Sequence, residues 1–219
     1  MYRQKYTESE IVHVLLAVLV LSLVIGFEYI ISGSYSLLST AILFSVIIIG
    51  LNILAKKLTA HMLDSDVEHK IWSFSRIGFK EHAKMKSEFP GGIFLPLLVS
   101  LLSLGSLKLM TILTYETKAL KHRAAKRFGH YSFTEMTDWH NGLIGAAGIL
   151  ILLVISFISY FLPFNNLELL SRMATFYALF NILPIPKLDG LQIYFGSRVL
   201  YLVLATITAI FSIYALLLV

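Results

Sequence analysis

The chain predicts an all-α polytopic membrane protein with five to six transmembrane helices, a re-entrant, membrane-embedded hairpin and a small β-containing region on the cytoplasmic side. Three observations lead there. Hydrophobic residues make up 57% of the 219 positions and charged residues only 14%, where an ordinary soluble domain is about one-quarter charged. Apolar runs of about 20 residues, the length of one membrane crossing, recur along the chain. Basic residues crowd between some of these runs and spare others. Cysteine is absent, which removes disulfides, thiolate metal ligands and thiol nucleophiles from consideration.

The elements follow in order. Ile11–Ile31 is the first span, with Glu28 near its far end. Its apolar core exceeds the roughly 7–15 residues of a cleavable signal, and no A-x-A-like site follows it. Tyr35–Ala55 is the second span. Val67–Phe74 alternates polar and apolar side chains, the period of a surface strand, within a polar stretch reaching Phe79. Gly91–Leu113 is apolar but broken by Pro96, Gly105 and several serines, so it dips into the membrane and returns where protein covers its irregular backbone. Gly142–Leu162, Leu167–Leu183 and Val199–Val219 complete the spans. The whole chain, 1–219, reads as one integral membrane domain, with 57–140 a polar insert that holds the hairpin 91–113.

Positive charge orients these segments. Loop 56–90 holds Lys56, Lys57, Lys70, Arg76, Lys80, Lys84 and Lys86, and loop 114–140 holds Lys118, Lys121, Arg123, Lys126 and Arg127. If 91–113 turns back, these join Arg3, Lys5, Lys187 and Arg198 on one side, which collects 16 of the 18 basic residues and leaves Lys108 and Arg172. By the positive-inside rule that side, with the amino terminus, is cytoplasmic. The run Lys118–Arg127 suits anionic lipid headgroups. A net charge of only +5, hugging membrane boundaries, speaks against nucleic acid as a partner.

One acidic residue stands apart. Residues 181–190 read Asn-Ile-Leu-Pro-Ile-Pro-Lys-Leu-Asp-Gly, a proline-rigidified turn that delivers Asp189 from the end of an apolar helix. Such a carboxylate costs about 2.5–3.5 kcal/mol at a membrane helix centre unless it is partnered, so it marks a functional site. Upstream, Gly142, Gly145 and Gly148 stand at three-residue spacing on one helix and permit close approach of neighbouring helices.

The decapeptide Asn181-x-x-Pro184-x-Pro186-x-Leu188-Asp189-Gly190 resembles the second active-site motif of the site-2 protease family, the intramembrane zinc metalloproteases. The order of a second helix, a β-rich polar stretch, a Gly-Ala-Ala-Gly helix and the Asp-Gly turn is similar too. The resemblance spans about 36–200, leaving 1–32 as a preceding helix, and implies a prokaryotic cell membrane. It also implies zinc, held by Asp189 and by the two histidines of an H-E-x-x-H on the second helix. The matching register is Asn52-Ile53-Leu54-Ala55-Lys56, where Asn52, Ile53 and Lys56 replace the His, the Glu and the second His. Asn is a weak zinc ligand, Ile has no lone pair and an ammonium repels a dication. Through the resemblance, Asn181, Pro184, Pro186 and Gly190, with the edge at Ile71, Ser73 and Phe74, would hold a transmembrane or unwound peptide segment by main-chain hydrogen bonds.

Two fates are open to Lys56. It can pair with Asp189 in place of the metal, or it can snorkel to the interface beside Lys57 and leave Asp189 hydrated. Function divides the same way. The first reading is a catalytically inactive pseudoprotease that binds membrane-proximal or transmembrane segments of other proteins and carries no cofactor. The second is an active zinc protease with Asp189 and loop histidines as non-standard ligands. A small transporter is a third, weaker reading, since ionisable groups do not line a path.

Overall fold

A backbone in an apolar setting must satisfy its own hydrogen bonds, so long apolar runs without proline fold as helices. The computed structural model describes residues 8–76, 84–120, 136–162 and 167–217. Its elements are α1 (Glu8–Ile31), α2 (Tyr35–Met62), β1 (Ser65–Ile71), β2 (Phe74–Arg76), β3 (Lys84–Phe89), α3 (Gly91–Leu102), β4 (Leu113–Ala119), α4 (Asp138–Phe161), α5 (Leu167–Ile182), α6 (Asp189–Gly196) and α7 (Arg198–Leu217). Helices α1, α2, α4 and α7 are long and apolar enough to cross a membrane.

Two expectations need correction. Among the described residues four helices reach spanning length, not five or six: α5 has 16 residues, about 24 Å at 1.5 Å per residue, and the hairpin contributes only the short α3. The second span also does not stop at Ala55. Nothing in Lys-Lys-Leu-Thr-Ala-His-Met breaks a helix, and α2 runs on until Asp64 takes a left-handed φ of 51°. Lys56 and Lys57 therefore sit inside a helix rather than in a loop.

The two ends of the molecule differ in chemistry. At the basic end, β1 and β4 pair antiparallel from Ser65↔Ala119 to Ile71↔Leu113. Ser65, Val67, His69 and Ile71 turn inward, while Lys70–Glu116 and Lys118–Glu68 pair on the open face at 2.6 and 2.7 Å. β2 and β3 form a second two-stranded sheet. The rest of the run Lys118–Arg127 lies outside the described residues. At the opposite end the two remaining basic residues are both neutralised, Lys108 by Glu28 at 3.0 Å and Arg172 by Glu168 at 2.5 Å.

Residues 91–112 connect these ends. Trp72 donates its N–H to Ile112 O and accepts that of Gly92, so both limbs start beside one residue. From there α3 runs along α1 until Leu104 and Gly105 reverse the chain with φ of 53° and 86°. A Cβ on Gly105 would lie 3.0 Å from Glu28 N, so glycine suits both the turn and the close contact. The return, which carries no helix or strand, leads into β4.

The core is centred on α4, which packs on α2, α5, α6 and α7. In its far half Ser156 shares hydrogen bonds with Ser171 at 3.1 Å and Thr175 at 2.6 Å, so a polar pair of helices is joined without unpaired hydroxyls. In this cysteine-free chain, single cysteines at Ser32 and Leu104 are expected to react with an impermeant maleimide from one face of a proteoliposome, and those at Glu116 and Asp138 from the other. Labelling of 104 from the face that exposes 116 would overturn the two-ended arrangement.

Candidate functional site

Adjacent residues on a helix point about 100° apart, so Lys56 and Lys57 leave α2 in different directions. Each finds a buried carboxylate. Lys56 Nζ lies 2.6 Å from Asp189 Oδ2, with the two side chains 2% and 0% exposed. Lys57 Nζ donates to Glu10 Oε2 of α1 at 2.8 Å.

Small residues make the first pair possible. A Cβ on Gly148 would stand 2.5 Å from Lys56 Cε and 2.8 Å from Asn52 Nδ2, so glycine leaves room for both side chains in their present places against α4. Asn52 donates to Gly148 O at 3.0 Å. One turn earlier a Cβ on Gly145 would meet the Tyr115 hydroxyl at 2.7 Å, and Gly142 lies against Gly196 of α6. Tyr115 brings its ring under the ammonium, 4.7 Å from Lys56 Nζ to the centroid, and donates its hydroxyl to Asn141 O at 2.6 Å. That geometry adds a cation–π attraction to the ion pair.

Asp189 is positioned by its turn. Lys187 adopts φ 69°, Leu188 is fully buried, and Asp189 opens α6, where the helix dipole favours a carboxylate. Trp72 Nε1 donates to Pro186 O at 2.9 Å, Thr114 Oγ1 donates to Lys187 O, and Lys187 pairs with Glu88 at 2.9 Å. A Cβ on Gly190 would overlap the Ile182 carbonyl and stand 2.6 Å from Leu183 O. Glycine after the aspartate thus lets α6 start hard against the end of α5. Burial raises the Asp189 carboxyl above its ordinary range, a push that the nearby charge of Lys56 only partly offsets. Burial and the nearby Asp189 charge push the Tyr115 phenol well up as well.

The second cluster joins α1, α2 and β1. Glu10 Oε1 accepts the backbone N–H of His69 at 3.2 Å and stands 3.0 Å from His69 Nδ1. His69 is fully buried. Desolvation lowers its pKa to about 4, helped by the charges of Lys56 and Lys57 and opposed by Glu10.

The other expected site residues fall in two groups. Ile53 is buried in the core. Asn181 is also buried, its Nδ2 donating to Tyr177 O of its own helix at 2.7 Å. Pro184 and Pro186 are exposed on the turn. Ile71 ends β1 opposite Leu113, Ser73 donates to the Glu88 carboxylate, and Phe74 stacks between Trp72 and Phe89 at 5.5 and 5.4 Å. These last three sit near the exposed prolines, apart from the buried ion pair. Glu10, His69 and Tyr115 escaped sequence reasoning. Glu10 lies just outside the expected first span, and nothing in one dimension places Tyr115 under Lys56.

The donor set beside Asp189 does not fit zinc. Its nearest charged neighbour is an ammonium, which repels a dication, and Ile53 offers no ligating atom. Among the described residues no three His, Cys, Asp or Glu side chains converge to hold a metal ion. His61 is exposed on α2 and His140 contacts Thr137, while His82, His122 and His130 lie outside the described residues. Comparison of the chain with protein-family models, with curated proteins and with solved structures returned no match.

Two outcomes follow from this geometry. Gly148→Ala is expected to displace Lys56 and to cost about 1–3 kcal/mol in thermal or denaturant unfolding in detergent, the usual penalty of overpacking. His69 supplies the pH dependence. Its folded pKa of about 4 lies below the ordinary 6.5, so between those values the unfolded chain binds a proton that the folded chain refuses. Stability is expected to fall as pH drops from about 6.5 towards 4, by up to about 3 kcal/mol, and to be flat in this term above 7. Melting curves across that range test it, and His69→Gln should flatten them.

Proposed function

We propose that the chain is a site-2 protease-like membrane protein that no longer cuts, and that it holds transmembrane or unwound peptide segments of other proteins at its cytoplasmic, basic end. The observation that carries this reading is the Lys56–Asp189 pair at 2.6 Å. It stands where the resemblance would put the metal, with Asn52 and Ile53 in the places of a ligand and the catalytic base. Hydrolysis through a zinc-bound water needs the cation to lower the water pKa from 15.7 to about 7, and a general base to take the proton. An ammonium can do neither.

The docking element on this reading is β2 with the adjoining turn. β2 has β3 as its one strand neighbour among the described residues, so its other edge is suited to strand addition. Phe74 and the exposed Pro184 and Pro186 supply apolar contact beside it. The buried Asn181 belongs to the scaffold in this arrangement rather than to the binding edge.

A photo-reactive residue at position 74 is expected to crosslink to membrane-proximal peptide segments in native membranes, and one at the exposed far-end position 161 is not. Metal analysis of the purified protein is expected to find no stoichiometric zinc. Zinc at one equivalent, lost in Asp189→Ala, would overturn the inactive reading in favour of a protease with non-standard ligands.

A further inference from the structure

At the end of the molecule opposite the ion pair, α4, α5 and α7 diverge and leave a recess of about 250 Å³. Its floor is Ser156, Ser171 and Thr175, and its walls include Phe157, Phe211 and Ala215. It exceeds the ~150 Å³ of an apolar cavity that admits benzene. The three floor hydroxyls bond one another and two helix carbonyls, at 2.6–3.1 Å, so none of them demands a water. The recess is therefore suited to an apolar occupant.

The depth of each lining residue narrows the occupant. Tyr160 is one residue from the end of α4 and Tyr214 three from the end of α7, and their rings meet edge-on at 5.1 Å between centroids. If α4 and α7 span the bilayer, these phenols lie at the headgroup level, where tyrosine is favoured because one end is wet and the other apolar. The floor lies four residues deeper on α4, about one turn, within the hydrocarbon. The rim formed by Phe157, Phe161 and Ile210 is 54–65% exposed and continuous with the lipid-facing surface of those helices. Polar phenols above a dry slot open sideways to lipid match one amphipathic molecule, with its headgroup at the interface and its chain inside.

We propose that this recess binds one acyl chain of a bilayer phospholipid from the leaflet opposite the basic end, with Tyr160 and Tyr214 against its headgroup region. The site is independent of the ion pair, since every lining residue belongs to the other half of the molecule.

The test uses the full chain in nanodiscs of phosphatidylcholine doped with a phosphatidylcholine bearing a diazirine near the middle of one chain. After irradiation, adducts are expected to concentrate on residues 156–161, 171–175 and 210–215. Ala215→Phe, which fills the slot from α7, should cut that labelling about tenfold, an affinity loss of ~1.4 kcal/mol. Should Ala215→Phe misfold, Ile210→Trp at the exposed rim is expected to give the same reduction. Adducts spread evenly over the exposed faces of α1 and α7, or unchanged in a folded slot-filling variant, would overturn the proposal. So would mutual crosslinking of two copies through these residues, which would assign the recess to a protein partner.

Discussion

Everything at the basic end is arranged around one buried contact, the ammonium of Lys56 against the carboxylate of Asp189. Two charges withdrawn from water each lose several kcal/mol of solvation, and a close pair recovers part of that only if its surroundings help. The surroundings do. Gly148 clears the path across α4, Tyr115 presents its ring to the cation, and the turn at Lys187 delivers Asp189 to the start of α6. A lone lysine or a lone aspartate at this depth would be left as an unpaired charge, so neither residue makes sense without the other.

The neighbouring lysine extends the scheme. Lys57 reaches α1 through Glu10, so one helical turn of α2 fastens both the first helix and α6. Two ammonium groups face two carboxylates, and the nearby His69 is kept neutral by its burial. The interior of the basic end is thereby balanced in charge although the molecule as a whole is basic. At the far end the same rule holds on a smaller scale, with Lys108 and Arg172 each matched to a glutamate.

How much of this could be read from the sequence follows from what periodicity can and cannot carry. Spans emerged from apolar length: α1, α4 and α7 depart from their expected bounds by only a few residues. The alternation at Val67–Phe74 marked β1, and Asp189 stood out as a costly acid in an apolar chain. The end of α2 is not legible because paired lysines ordinarily mark a loop, whereas a helix can carry charge inward if carboxylates await it. Glu10 and Tyr115 were invisible for a related reason. Their roles depend on which helix or strand packs beside α2, and one chain read in order holds no information on such long-range neighbours. The far-end recess likewise arises from how three helices splay.

The central claim, that Lys56 and Asp189 stabilise the fold as a unit, is tested most directly by a double-mutant cycle on unfolding free energy in detergent, with Lys56→Met, Asp189→Asn and both together. Each single change is expected to cost about 3–5 kcal/mol by stranding a buried charge. The double variant should cost less than the sum of the two single losses by about 0.5–3 kcal/mol, the usual coupling of interacting residues. Losses that simply add would contradict the account, for then the two side chains would act independently and the contact would hold nothing together.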